Sequence, residues 1–362
     1  MYNIHLLPAS FGDSILIEYN EHDPKYILID GGPYFNFDEL INGIQRVAPG
    51  LEELELLVIS HVDIDHIDGI VTLLNRDKLP FAINEVWFNG WNEIKPFEDA
   101  ELLGALQGEY LSVAINRHKI PHNKSFGGKT VYVKEIDAPP VIQLPGGMEL
   151  TLLSPVKEAL QKLLPVWEKE VAEKIGDRAL IEQRFDEDKR YDQPIDDLLG
   201  GMSIEKMQDA KSKGDTSPAN GSSIAFIGKY GGKSCLFAAD AITDYLLQVI
   251  EPILEKNDAD KLQLDAWKLA HHGSKKSTLD SLMIKIDCKN MLFSSDGKRY
   301  KHPDEQTIAK LLKHNGPDLQ LYFNYKTEQN DMWDDVAKQK KYHYDTRYPA
   351  KKDEPGITIS LM

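Results

Sequence analysis

Three short runs of branched apolar residues open the chain: YNIHLL (2–7), SILIEY (14–19) and YILID (26–30), with turn-forming residues between them. Runs of this composition predict strands, and their close succession predicts a β meander. The apolar positions then move to helical spacing in FNFDELINGIQRV (35–47). LELLVIS (54–60) is apolar almost throughout, the pattern of a strand buried on both faces. HIDGIVTLLNR (66–76) reads as a helix and INEVWFNG (83–90) as a strand. A helical stretch near 98–116, strands at about 130–136 and 148–153, and a long helical region from 156 follow. SSIAFIGKY, Gly231-Gly232 and KSCLFAAD form a strong hairpin signal over 222–240. A helix at 241–255, the strand DAWKLA, a helix near 278–286, the strand NMLFSS, a helix after HPDE and the strand LQLYFNY complete the pattern.

Strands first, then helices and strands again, predict an α+β chain built as a four-layered αββα sandwich of two similar halves. Residues 156–219 stand apart as an amphipathic, highly charged helical insertion with a loose exit, DAKSKGDTSPANG. One domain is therefore expected over 1–327, carrying that insertion, with a polar C-terminal extension at 328–362. The insertion is a candidate surface for a protein partner. No apolar run approaches the roughly 18 residues of a membrane span, and the N-terminus lacks a signal-peptide pattern, so the reading is a cytoplasmic protein without a membrane partner. Cys235 and Cys288 are too few for a disulfide framework or a thiolate metal site and read as small core residues.

Net charge is −16, which argues against binding a long nucleic-acid duplex. Its distribution changes that picture. The first 260 residues hold 24 basic and 44 acidic side chains, whereas 18 basic and 14 acidic follow, so the last third can offer a positive patch.

The chemistry concentrates where predicted strands end. SHVDIDHIDG (60–69) follows LELLVI and places His61, Asp63, Asp65 and His66 on one loop and the first turn of a helix. Buried carboxylates are costly unless a cation or hydrogen bonds answer them. Imidazole with carboxylate suits Zn²⁺, Mn²⁺ or Fe²⁺. The plain reading of the stretch alone, the weaker of the two, is a solvated cap with Asp65 at the N-cap position. A calcium loop is excluded, since counting from Asp63 puts Ile67, Asp68 and Leu74 at positions 5, 6 and 12. Asp240 ends the strand LFAAD and would, in isolation, cap the next helix. His271 and His272 end another strand in WKLAHHGSKKST, and His302 lies among cations in SSDGKRYKHP. A surface histidine pair and a solvated basic loop are their plain readings. Together, the order HxDxDH, D, HHGS, HP at successive strand ends points to one shared metal centre.

These residues resemble the metallo-β-lactamase superfamily, whose αββα fold matches the pattern above. Within it the chain is most similar to the hydrolase domain of the competence protein for DNA uptake and to related stand-alone bacterial proteins, where HxDxDH replaces HxHxDH. FGDSILIE (11–18), LIDGG (28–32), NGSSIAF (220–226), LFAAD (236–240), AHHGS (270–274) and HP (302–303) carry the resemblance, over roughly 5–155 and 218–325. It implies two divalent ions, zinc or manganese. His61 and Asp63 would serve the first, and Asp65 and His66 the second. Asp240 would bridge, His271 or His272 would complete the second, and Asp30 would brace the loop from behind. One departure stands out. Asn220, Ser222 and Ser223 occupy the place of a metal-binding histidine, leaving the first position short of nitrogen.

The implied reaction is hydrolysis by a metal-bound hydroxide that Asp65 orients, with His302 and the unbound member of the 271–272 pair assisting the leaving group. Lys275, Lys276, Lys298, Arg299 and Lys301, with Asn220 and Ser223, are the candidate substrate contacts. Cations beside a two-metal centre suit a phosphodiester, and the resemblance points to nucleic acid, short, single-stranded or partner-delivered, with a role in bacterial antiviral defence. Hydrolysis of a small ester, thioester or lactone on the same centre is the alternative. A degenerate centre in a partner-binding protein is the other.

Overall fold

The computed structural model describes residues 1–95, 106–174, 181, 208, 212–351 and 353–362. Its strands are β1 (Tyr2–Leu6), β2 (Ile15–Tyr19), β3 (Lys25–Ile29), β4 (Glu53–Leu54), β5 (Leu56–Val58), β6 (Ala82–Ile83), β7 (Val86–Trp87), β8 (Val141–Gln143), β9 (Glu149–Ser154), β10 (Ala225–Tyr230), β11 (Lys233–Phe237), β12 (Leu262–Lys268), β13 (Ile286–Phe293), β14 (Leu319–Phe323), β15 (Tyr344–Arg347) and β16 (Ile357–Ser360). Six of them form one sheet in the order β16-β1-β2-β3-β5-β7, and eight form another in the order β15-β14-β13-β12-β11-β10-β9-β8. β4 and β6 pair separately.

The pleat explains how the first sheet is covered on both sides. Ile15, Ile17, Ile27, Ile29, Leu56 and Val58 join the core between the sheets, while Leu16, Leu28 and Leu57 face the opposite way. That outer face is covered by four helices, α1 (Phe37–Val47), α2 (Ile64–Leu74), α3 (Leu106–Arg117) and α4 (Lys157–Lys174). Two helices, α5 (Thr243–Lys256) and α6 (Glu305–Asn315), add Leu246, Val249, Ile250, Ile308 and Leu311 to the core of the second sheet. Between the sheets, Trp87 meets Phe226 edge to face, and Tyr2 donates its hydroxyl to the Gly228 carbonyl. The molecule is the expected α+β, four-layered αββα sandwich.

Strand direction positions the site. β3, β5 and β7 run parallel, as do β11 through β15, so their C-terminal ends reach common edges. The β10–β11 hairpin turns on Gly231 and Gly232, both at positive φ, the backbone that two-residue hairpin turns require.

Four expectations change. Residues 130–136 form no strand, because Val133 makes only an isolated bridge to Val156 and the neighbouring backbone pairs with side chains such as Asn89. β8, which pairs with β9 through Val141–Gln143, was not anticipated. The helix near 278–286 contracts to Asp280–Met283, since Ile286 already pairs with Leu262 in the second sheet. The polar segment 328–362 is woven into both sheets: β15 extends β14, and β16 pairs with β1. Of the insertion, α4 and the turn Pro218–Gly221 are described, and most of 175–211 lies outside the described residues, as do the first residues of the helix expected near 98–116.

Candidate metal centre

Five loops at strand ends converge. Asp13 follows β1, Asp30 follows β3, His61 to His66 follow β5, Asp240 follows β11, and His271 and His272 follow β12. Asp30 lies at the base. Its carboxylate accepts the Ser60 backbone N–H at 2.7 Å, the Ser60 hydroxyl at 2.6 Å and His66 Nδ1–H at 2.8 Å. Ser60 Oγ, having donated its proton to Asp30, accepts from His61 Nδ1 at 3.0 Å.

The same arrangement recurs across the centre. His272 donates Nδ1–H to the Ser294 carbonyl at 2.9 Å and faces Asp13 Oδ1 at 3.2 Å. His271 donates Nδ1–H to Asp215 Oδ2 at 3.2 Å. Each of the four imidazoles thus has its Nδ1 proton fixed by an oxygen, which leaves Nε2 free for the interior. All four Nε2 atoms face Asp240. Oδ1 lies 3.4 Å from His66 and 3.9 Å from His272, and Oδ2 lies 3.7 Å from His271 and 4.0 Å from His61. Asp65 Oδ2 stands 3.5 Å from His272 Nε2, and Asp63 Oδ2 stands 3.6 Å from His61 Nε2.

The cap readings fail on geometry. Asp63, not Asp65, is the N-cap of α2, and its side chain makes no capping bond. Ile242 rather than Asp240 occupies the cap of α5.

These donors fit a cation. His61 Nε2, His66 Nε2, His272 Nε2 and Asp240 Oδ1 are all buried without a hydrogen-bond partner, which is costly unless something positive joins them. Among the described residues, His61, His66 and Asp240 form one group able to hold a metal ion, and Asp65, His66 and His272 form another. Electrostatics point the same way. Burial alone would raise the Asp240 carboxyl, but His271, His66 and His272 hold it well below its usual range. Burial likewise lowers His66 and His272, yet Asp240 and Asp30 hold His66 well above an ordinary imidazole, while Asp13 and Asp240 push His272 up to about 9. The carboxylates demand positive charge among them, and a divalent ion supplies it more compactly than protons do.

Backbone strain marks the same loops. Asp30, Ala239, His271 and His272 adopt positive φ without being glycine. Such conformations cost on the order of 1–3 kcal/mol each and persist only where packing enforces them.

The remaining predicted residues divide. His302 meets His271 edge to face at 5.4 Å between ring centroids and stacks on His272 at 6.4 Å, and burial with those two rings lowers it to about 4. Asn220 and Ser223 are buried; Asn220 Nδ2 donates to Asp215 at 2.7 Å, while Asn220 Oδ1 and Ser223 Oγ have no hydrogen-bond partner among the described residues. Lys275 pairs with Asp304 at 3.5 Å, and Lys298 pairs with Asp296 at 3.5 Å. Arg299 lies over the rings of Phe11 and Tyr300. Lys276 and Lys301 make no side-chain ion pair among the described residues. The two histidines lie on different sides: His272 lies with Asp65 and His66, and His271 lies toward the oxygen of Asp240 that His61 faces.

Three groups were missed. Asp13 and Lys268 form a fully buried ion pair at 2.6 Å, with Asp13 also bracing His272. A lysine inside the apolar strand DAWKLA was the available signal. Asp215 collects Ser217 N–H at 2.9 Å, Asn220 at 2.7 Å, Ser277 at 3.1 Å and His271. It sits in a polar loop whose composition hides its role.

No curated protein matches the chain. Among the solved chains that resemble it, 21 in all, are those of three different proteins. The CmlA beta-hydroxylase E377D mutant has 12% identity and a TM-score of 0.40, covering 99% of this chain and 54% of its own, so this chain spans about half of that protein. The metallo-beta-lactamase fold protein YhfI from Bacillus subtilis has 9% identity and a TM-score of 0.37, covering 99% of this chain and 100% of its own. The flavodiiron protein from Giardia intestinalis has 10% identity and a TM-score of 0.26, with 97% and 90% covered. The family match is broader in consequence: residues 7–295 match the Metallo-beta-lactamase superfamily, and the chain belongs to that superfamily.

Proposed function

We propose that this protein is a hydrolase of phosphodiesters, acting on short or single-stranded nucleic acid with two divalent ions, zinc or manganese. The observation that carries the reading is the division of four inward Nε2 atoms between the two oxygens of Asp240. His61, Asp63 and His271 would hold the first ion and Asp65, His66 and His272 the second, with Asp240 between them. On this reading His271 supplies the nitrogen that Asn220 and Ser223 cannot. When bound, such ions activate a water near neutral pH and neutralise charge on the reacting phosphate.

The chain's own groups do the rest. Asp65 accepts a hydrogen bond from the attacking water and orients it. His302, neutral near pH 7, donates a hydrogen bond toward the leaving oxygen. Lys276, Arg299 and Lys301 meet the phosphate backbone. The HxDxDH order, which resembles the competence-type hydrolases, also supports a nucleic-acid substrate. Among the described residues no helix is long and apolar enough to cross a membrane.

The test assays plasmid, single-stranded DNA, RNA and bis(p-nitrophenyl) phosphate with Mn²⁺ or Zn²⁺, beside Asp65→Ala and His66→Ala. The expected result is cleavage of single-stranded DNA or RNA by the wild type and a loss of about 10³-fold or more in both variants. A wild type as inert as the variants on all four would overturn the reading, and activity confined to esters or lactones would replace it.

A further inference from the structure

An unbroken series of rings leads from solvent to the metal centre. Phe35 is 56% exposed and packs 5.9 Å from Phe11, which is buried beneath it. Phe11 meets Tyr300, 45% exposed, edge to face at 5.6 Å. Tyr300 lies 6.3 Å from His302, whose ring adjoins His271 and His272. Arg299 crosses this series, its guanidinium 4.9 Å above the Phe11 ring and 5.3 Å from the Tyr300 ring, where cation and aromatic face attract. It makes no ion pair among the described residues. Two large aromatic side chains are therefore left in water at one rim, beside a cation and next to the candidate metal centre. Scattered exposed apolar residues need no explanation, but a contiguous set beside a reactive centre does.

We propose that Phe35 and Tyr300, with Arg299 laid across Phe11 between them, form a stacking shelf for the nucleobase adjoining the scissile phosphate. This deepens the phosphodiester reading and rests on it. A planar base offers its face to an aromatic ring whatever its identity, and an anionic backbone beside it meets the guanidinium. Bases in a duplex have their faces covered by neighbours, so the shelf selects single strands.

The experiment measures binding without turnover. Fluorescence anisotropy with the chelated protein at low salt compares a single-stranded DNA hexamer with its abasic counterpart, for the wild type, Phe35→Ala, Tyr300→Ala and Tyr300→Phe. Stacking on an aromatic side chain contributes about 1–3 kcal/mol per base, which corresponds to about 5- to 150-fold in affinity. The wild type and Tyr300→Phe are expected to prefer the intact strand by a factor in that range. Phe35→Ala and Tyr300→Ala are expected to bring the ratio close to one while leaving abasic binding unchanged. Both replaced side chains are about half exposed, and thermal unfolding monitored by circular dichroism checks that the variants fold. Equal binding of both strands by the wild type overturns the shelf, as does an unchanged ratio in both alanine variants. Base-dependent binding in a protein that cleaves nothing retains the shelf and removes the hydrolase reading, whereas active cleavage with base-independent binding does the reverse.

Discussion

At the scale of single residues, the centre is held by groups that never face its interior. Lys268 and Asp13 are both buried, 255 positions apart, and each answers the other's charge. Burial raises the Asp13 carboxyl, yet Lys268 and His272 outweigh it and hold the group below its usual range. Replacing Lys268 with Met leaves a buried carboxylate beside His272 and is expected to cost about 3–5 kcal/mol in urea unfolding. The double variant Lys268→Met with Asp13→Leu is expected to recover part of that loss, and a double variant no more stable than Lys268→Met would show that the unpaired Asp13 carboxylate is not the source of the loss. Asp215 presents a different case. It is the oxygen partner of His271 Nδ1, and Asp215→Asn keeps the hydrogen-bonding shape while weakening the hold on that ring. Groups in this position typically matter by about 10- to 100-fold in metal affinity, so titration with Mn²⁺ is expected to show one of two binding steps weakened by that factor with unfolding little changed. Two unaltered steps would make Asp215 a loop residue and nothing more.

At the scale of elements, helix α2 carries Asp65 and His66 and is set by close backbone approach. Gly69 lies so near the Gly31 loop that an added Cβ would sit 2.1 Å from the Gly31 carbonyl oxygen, and Gly69 N–H bonds the Gly32 carbonyl at 2.8 Å. Gly69→Ala must therefore push the helix away from the loop that holds Asp30. The expected cost is about 1–3 kcal/mol in urea unfolding, accompanied by weaker metal binding as His66 parts from Asp30. Elements with strong periodicity were legible in advance: the β1–β3 meander, the Gly-Gly hairpin and α5 all follow from local pattern; the meander strands and α5 lie within a residue or two of their expected bounds, and the hairpin is three residues shorter at each outer end. So was the convergence of the loops that carry His61, Asp65, His66, Asp240 and His272, because a carboxylate or imidazole directly behind an apolar run has few structural uses. Asp13 and Asp215 were not legible, since their partners His272 and His271 lie 259 and 56 positions away and only tertiary folding brings them together. The strand expected at about 130–136 failed for a related reason. There Val131 and Val133 reach the core while their backbone makes one bridge and bonds to the Asn89 side chain instead of a ladder, which no local periodicity records.

At the scale of the whole molecule, the centre is a seam between two sheets. His61, Asp65 and His66 hang from the first sheet, Asp240 and His272 from the second, and polar bonds such as Ser10 to Asp296 at 2.9 Å and Ser294 to Gly12 at 2.9 Å tie the same edges. A divalent ion there joins both halves, so it should stabilise the fold as a whole, by about 2.7 kcal/mol when free metal is a hundred times its dissociation constant. The pH dependence distinguishes this from a loose surface site. In excess chelator the imidazolium of His272, raised to about 9, contributes stability that is complete below about pH 6.5 and disappears as pH rises through 9, because the folded state binds that proton more tightly than the unfolded chain. In excess Mn²⁺ the same nitrogen must be unprotonated to bind, so metal-linked stability grows over that interval. The difference in Tm between Mn²⁺-loaded and chelated protein should therefore widen steadily from pH 6 to pH 9, read by calorimetry in matched buffers. A difference that stays constant or narrows would mean that the ion does not bind where His272 loses its proton, and the shared centre between the sheets would have to be abandoned.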